Sequence, residues 1–466
     1  MMKFGYLHIL TKKGVSMESL WSVQSGNVKK KDDIKEVIRK ETHWDVIVVG
    51  GGMAGILSAY LLKEQGKRVL VVEAGKVASG QTERTTAKIT SQHGLKYSKL
   101  IKNIGRRKTK LYYEANEEAI NEYERIIEEN HIKCGFERVK SYLYSCEGED
   151  ALCKEAEALA QLGVETCYDN ERELPFEVKA VLGFKRQAQF EPLEFLKGIV
   201  SEIPILENTL VTEIKGNWVI SKYGILTADH IIVATHYPMK NVPGFYFFRQ
   251  HQERSYAIAL KGAIPIKHMY YGVDCDGVSL RQAGEYLILG GGSHRTGKKK
   301  KDLIGEYEKL QGFARQYFPQ AEVAAKWAAQ DCMPHDGIPF IGKYSVFAPN
   351  LYVATGFQKW GMTTSMVAAM LLCDEICGNE NPYSELFKPQ RLHFRAGIGN
   401  FLKDVEVSAK GLLFGMFGKR KCSHMGCELV WNEEEQSWDC PCHGSRFRED
   451  GRLLDNPAQK DLKAKR

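Results

Sequence analysis

Residues 45–75, DVIVVGGGMAGILSAYLLKEQGKRVLVVEAG, leave this chain little choice of fold. Val46 to Val49 form a continuous apolar run, the mark of a strand buried on both faces. Gly50, Gly52 and Gly55 follow in G-x-G-x-x-G spacing. Ile56, Leu57, Tyr60, Leu61 and Leu62 then recur at near-helical periodicity until Gly66. Val69 to Val72 read as a second buried strand, closed by Glu73. Each part has a mechanical reason. Gly50 permits a tight turn, Gly52 lets a pyrophosphate approach the backbone, and Gly55 lets helix and strand pack closely. The helix N-terminus offers unpaired N–H groups and a positive dipole end to the phosphates. Glu73 accepts from the adenosine ribose hydroxyls, and its charge disfavours a 2′-phosphate. The segment predicts a parallel α/β domain holding a dinucleotide, FAD or NAD. A second candidate, EYLILGGGSHRTGKKKK from residue 285, has Gly290 and Gly292 but Arg295 in the third glycine position. It reads as a strand running into a loop.

At 466 residues the chain is too long for one core, so two or three domains are expected. Its 43% hydrophobic and 26% charged residues are those of a soluble globular protein. The formal net charge of +7 is gathered in short runs, Arg106-Arg107-Lys108, Lys298 to Lys301 and Lys419-Arg420-Lys421. No aromatic residues interleave with them, which argues against nucleic acid. They read as solvated surface, with an acidic protein partner as the sharper alternative. No apolar run approaches the roughly 18 residues of a membrane span. The first residues lack the features of a secretory signal, and Met17 is an alternative start. Eight of the twelve cysteines are scattered singly, including Cys275, which is no disulfide framework. The expected location is the cytoplasm.

The other four cysteines gather at the tail, in Cys422-Ser-His424-Met-Gly-Cys427 and Cys440-Pro-Cys442-His443-Gly-Ser445. Four thiols and two imidazoles suit an iron–sulfur centre or a tetrahedral zinc.

Taken together, the front motif, TTAKITSQHG (residues 85–94), IIVATHYP (231–238), HDGIPFIG (335–342) and LYVATGFQKWGMTTSMVAAMLL (351–372) resemble the D-amino-acid-oxidase-like FAD oxidoreductases. That superfamily includes glycine and sarcosine oxidases. The resemblance implies FAD, with Gly356, Gly361, Met362 and Thr363 forming a loop and helix start beside the flavin. It places Thr85, Thr86 and Ala234 by the nucleotide and Val211 against the adenine. Lys88 and His93 become catalytic candidates, with Gln92, His294 and Arg249 nearby. The tail is similar to the Rieske motif at every named position. That implies a [2Fe–2S] cluster on Cys422, His424, Cys440 and His443, with Cys427 and Cys442 in a disulfide. Only Leu386 to Lys421 separate the oxidoreductase segment from Cys422, so the supporting part of this small all-β domain looks truncated and the cluster is expected to lean on the flavoprotein domain.

The expected organisation is an extension over residues 1–43 and an oxidoreductase domain over 44–385. Its nucleotide-binding segments are about 44–95, 195–242 and 327–385, and an inserted α+β substrate domain takes 96–194 and 243–326. A linker follows at 386–418 and the Rieske-type domain at 419–466. The expected activity is oxidation of a C–N bond in a small amine or amino acid, with electrons passing through the cluster to a redox partner or other external acceptor. The alternative is a flavin/iron–sulfur relay or redox sensor that turns over no small substrate.

Overall fold

The computed structural model describes residues 18–26, 28, 41–168, 173–240, 242–274, 276–298, 304–391, 394–417 and 420–463. Met17, Cys275 and most of the expected extension lie outside the described residues. The strand His43–Val49 is the centre of the first sheet. It runs parallel to Val69–Val72 on one side and Gly224–Val233 on the other, with Val49 level with both Val72 and Val233. Ala348–Thr355 extends the sheet in parallel, and Phe340–Ser345 closes that edge antiparallel. Every residue of the crossover helix Met53–Glu64 from Met53 to Leu62 is buried, much of it against the helix Gly361–Cys377.

The three glycines answer to different constraints. Gly50 has φ +112°, and a Cβ there would lie 2.4 Å from the Ala234 carbonyl oxygen. A Cβ on Gly55 would lie 2.0 Å from the Gly50 oxygen, so helix and turn touch backbone to backbone. A Cβ on Gly52 would meet only Thr82 Oγ1, at 3.3 Å, and otherwise opens onto a cavity.

The second sheet has nine strands. Its path runs Glu322–Pro334, Gln250–Lys261, Tyr286–Arg295, Ser279–Ala283, Met269–Gly272, Glu137–Ser145, Ala180–Gln189 and Lys88–Ile89. Tyr286–Arg295 is thus a strand entering a turn and forms no second nucleotide fold. The helix Arg106–Glu129 buries Tyr112, Ala115, Ala119, Tyr123, Ile126 and Ile127 on one face, the stripe its sequence spells out. Two strands cross the expected segment limits. Lys88–Ile89 and the second half of Glu322–Pro334 join this sheet, because their partners are Ala180–Gln189 and Gln250–Lys261.

The expected linker holds a 24-residue helix, Phe394–Phe417. Beyond it, Val430–Asn432, Ser437–Asp439, Arg446–Arg448 and Leu453–Asp455 form a small antiparallel sheet. So short a sheet covers little, and it rests on the body formed by the two large sheets through polar contacts. Arg254, fully buried, donates to Glu435 at 2.6 Å, and Tyr307 donates to the other oxygen of Glu435 at 2.9 Å. Asn456 donates at 2.8 Å to the carbonyls of both Thr235 and Tyr237.

The glycine geometry separates folding from binding. Gly55→Val should yield insoluble or unfolded protein. Gly52→Val should fold with unchanged circular dichroism yet retain no FAD after gel filtration, because its side chain enters the cavity and not the core.

Candidate functional site

One cavity of about 1680 Å³ lies between the two large sheets and reaches the tail. Gly50, Gly52, Glu73, Thr85, Thr86, Val211, Ala234, Gly356, Gly361 and Met362 line it, as do Lys88 and His93. The Glu73 carboxylate accepts from Gly51 N–H and Gly75 N–H, both at 2.6 Å. Those bonds hold it at the end of its strand, facing the glycine turn, and each oxygen keeps a lone pair for a ribose hydroxyl. Burial raises its pKa, against the pull of the two N–H groups. Gly55 and Thr363 sit behind this surface. Thr363 Oγ1 accepts from Thr90 N–H at 2.8 Å and donates to Thr90 O at 3.0 Å. It ties the start of the helix Gly361–Cys377 to the segment carrying Lys88.

Lys88 is buried. Its Nζ donates to Tyr270 O at 2.9 Å and to Ser279 Oγ. Desolvation, with Arg281 nearby, brings its pKa down to about 7. His93 stacks on Trp360 and has both ring nitrogens engaged, Nδ1 with Tyr112 Oη and Nε2 with Thr90 O, each at 2.7 Å. The carbonyl takes the Nε2 proton, so Nδ1 accepts from the tyrosine and the ring is neutral. Desolvation holds its pKa well below the usual range. Gln92 accepts from Ser141 Oγ, inside the protein. His294 stacks on Tyr256, and Arg249 lies over Phe340 with its guanidinium donating to Pro389 O.

Two lysines absent from the sequence reading line the same cavity. Lys96 Nζ donates to Gly337 O and, at 3.0 Å, to Gln358 Oε1, and burial brings its pKa to about 7. Lys359 pairs with Glu253 at 3.4 Å and Asp331 at 3.8 Å, and these carboxylates raise its pKa despite burial. No local pattern marks these lysines, because their partners lie far away in the chain.

At the tail, two loops repeat one geometry. Gly426 N–H donates to Cys422 O and Gly444 N–H to Cys440 O, both at 2.9 Å. Cys422 N–H donates to Cys427 O and Cys440 N–H to Ser445 O, both at 2.8 Å. Gly426 and Gly444 have φ +84° and +89°, which only glycine adopts without strain. Cys427 and Cys442 form a disulfide between the loops. That removes two sulfurs from any metal site and leaves Cys422, Cys440, His424 and His443. Both free thiols are buried, and the imidazole centroids lie 5.0 Å apart. His443 Nδ1 is buried and makes no hydrogen bond, which suits a ligand nitrogen. His424 N–H points at Cys422 Sγ from 3.5 Å. The donor set fits a [2Fe–2S] cluster with two thiolates and two imidazoles.

The cluster loops rest on the oxidoreductase sheet through buried glutamines. Gln252 Nε2 donates to His443 O at 2.7 Å, and Gln330 Nε2 donates to Gly444 O at 2.8 Å and Gln252 Oε1 at 2.7 Å. Gln330 N–H donates to Gln81 Oε1, a cavity residue, at 2.7 Å. Arg295 donates to Pro441 O and Cys442 O, both at 2.9 Å. A continuous chain of polar contacts therefore links the nucleotide side of the cavity to the cluster loops.

A nucleotide-binding sheet with a large cavity, joined to a two-thiol, two-imidazole loop pair, defines an FAD-dependent oxidoreductase with a Rieske [2Fe–2S] domain. The family pattern for FAD dependent oxidoreductases (DAO) matches residues 45–375, and that for the Rieske [2Fe-2S] domain matches residues 417–465. The chain belongs to the FAD-dependent oxidoreductase family. YhfW of Bacillus subtilis (strain 168), described as a candidate Rieske 2Fe-2S iron-sulfur protein, is 36% identical over 91% of this chain and 94% of its own. Among solved structures, glycine oxidase from Geobacillus kaustophilus superposes with a TM-score of 0.63 at 17% identity, covering 75% of this chain and 99% of that one. L-proline dehydrogenase from P. horikoshii gives 0.61 at 19% identity, covering 75% and 98%. At such identities the likeness is one of fold.

Gln330→Leu should destabilise the seam by about 1–3 kcal/mol, because it leaves the Gly444 carbonyl buried without a donor. Iron content should survive, and the electron spin resonance of the reduced cluster should broaden. Cys440→Ser should lose iron and keep FAD, read by metal analysis and flavin absorbance.

Proposed function

We propose that the protein oxidises a C–N bond of a small amino acid and delivers the electrons by way of its Rieske domain to an external acceptor. Bound FAD supplies hydride acceptance, and the cluster supplies one-electron carriage at a potential raised by imidazole ligation. The observation carrying this reading is the shared cavity: residues 453–456 and 458–460 of the tail line it together with the glycine turn and the loop after Gly356. A cofactor bound there meets both domains. The fold neighbours named as amino-acid enzymes, including an L-amino acid deaminase from Proteus vulgaris, support the substrate class.

Lys88 supports a substrate carrying a carboxylate. No carboxylate pairs with its ammonium among the described residues, and its hydrogen bonds go to a carbonyl and a hydroxyl. A buried cation with only neutral partners gains from a bound anion. Lys359 is already neutralised by Glu253 and Asp331, so it is the weaker anion site. Lys88 holds and orients the carboxylate in this reading. His93, fixed between Tyr112 and Thr90, supports the wall through its stack on Trp360.

Anaerobic mixing with a panel of amines and amino acids should bleach the flavin absorbance for a carboxylate-bearing member. Bleaching by protein donors alone would overturn the enzyme reading and leave a relay. Lys88 is charged below about pH 7 and neutral above it. Carboxylate binding therefore weakens as pH rises, and kcat/KM should fall through about that pH. Lys88→Met should lower kcat/KM by about tenfold to a hundredfold, the scale of one charged hydrogen bond, and remove that limb.

A further inference from the structure

The helix Phe394–Phe417 has two unlike faces. Asp404, Gly411 and Gly415, spaced i, i+7 and i+11, share one stripe. This stripe is fully used. The Asp404 carboxylate binds His251 Nδ1 at 3.0 Å and Arg295. A Cβ on Gly411 would lie 2.5 Å from Cys442 Sγ, and one on Gly415 would lie 2.2 Å from Gly426 O. Gly411 O also accepts from Glu428 N–H at 3.1 Å. The helix is the platform for the disulfide and the first cluster loop.

At about 100° per residue, Val405 and Leu412 lie a quarter turn from that stripe and Leu402 and Leu413 nearly opposite it. They are 41%, 40%, 61% and 58% exposed. The exposed Glu406–Lys410 ion pair borders Leu413 on this side, so the apolar residues form a strip beside a charge-balanced pair. The helix packs against the turn Tyr246–Phe248, where Phe248 is half exposed, and Met425 beside His424 is also exposed. Phe247 in that turn stands 6.0 Å from the His443 ring.

We propose that this face docks on an anionic lipid surface and holds the cluster about one helix diameter from it. Charge complementarity selects this occupant. The run Lys419-Arg420-Lys421 directly follows the helix in sequence, and Lys421 is exposed. The helix also packs against Tyr97–Ile104, which leads through Gly105 to the exposed run Arg106-Arg107-Lys108. A second copy would bring like charges together, and the formal net charge of +7 adds to the repulsion. No described helix is long and apolar enough to cross a membrane, so the helix lies on the surface. The surface stands independently of the proposed reaction. Its test uses no substrate.

The test is flotation of the iron- and flavin-loaded protein with vesicles of phosphatidylcholine alone or mixed with phosphatidylglycerol. The protein should float with the mixed vesicles and stay behind with neutral ones, and high salt should release it. Leu402→Glu/Leu413→Glu, checked for unchanged iron and flavin content, should weaken flotation by about tenfold or more. Should that variant lose its cofactors, the salt and lipid dependence of the unaltered protein decides. Absence of flotation with mixed vesicles, or equal flotation with neutral ones, overturns the proposal. So does a concentration-dependent dimer in sedimentation that the double variant abolishes, since the face is then a self-interface. Capture of a soluble protein acceptor through these leucines, without vesicle binding, overturns it as well.

Discussion

Arg254 has no contact with water, and its charge must be met inside the protein. Glu435, from the small tail sheet, meets it at 2.6 Å. Around this pair the seam is polar. Within the tail sheet Arg446, between Asp439 at 3.1 Å and Asp455 at 2.9 Å, also reaches Glu435 at 3.5 Å, and across the seam two glutamines reach the carbonyls of His443 and Gly444. Apolar contact tolerates sliding, whereas directed hydrogen bonds between buried groups do not. Removing one partner of a buried pair leaves a charge alone, at a cost of about 3–5 kcal/mol. The seam therefore fixes where the cluster stands relative to the nucleotide cavity, and the shared cavity and the helix platform follow from that placement.

The small size of the tail sheet makes the seam necessary. Four short strands bury one small cluster around Cys422, Cys427, Leu429, Cys440, Cys442, Phe447 and Ala458. A unit of this size has too little core to stand alone. It borrows support from Gln250–Lys261, from Glu322–Pro334 and from the helix Phe394–Phe417. The expectation that the cluster leans on the flavoprotein body takes concrete form here. The segment expected as a linker is the structural floor of the tail.

Much of the nucleotide site was legible because its logic is local. Val46 to Val49, the three glycines and Glu73 act within some thirty residues, and backbone sterics alone require glycine at positions 50 and 55. The tail loops were legible for the same reason. Each loop closes through bonds between a cysteine and residues four and five positions on. The roles of Lys96, Lys359, Gln252 and Gln330 were not legible. Gln330 meets Gly444 across 114 residues of chain and Gln81 across 249. His93 stands out in the sequence by its place in the flavin-side segment, and only the fold brings Tyr112 and Thr90 to its two nitrogens.

The sequence by itself determined two cofactor-binding units, since each depends on residue types whose spacing dictates the backbone turn they need. It also determined the buried stripe of Arg106–Glu129 through helical periodicity. Only the tertiary structure decided that the two units share one cavity, which lysines line it, and which face of Phe394–Phe417 is spent on the cluster loops. Those outcomes depend on pairing between distant segments. Pairing of that kind is selected by the burial of charge and by strand register, and neither leaves a periodic trace in the chain.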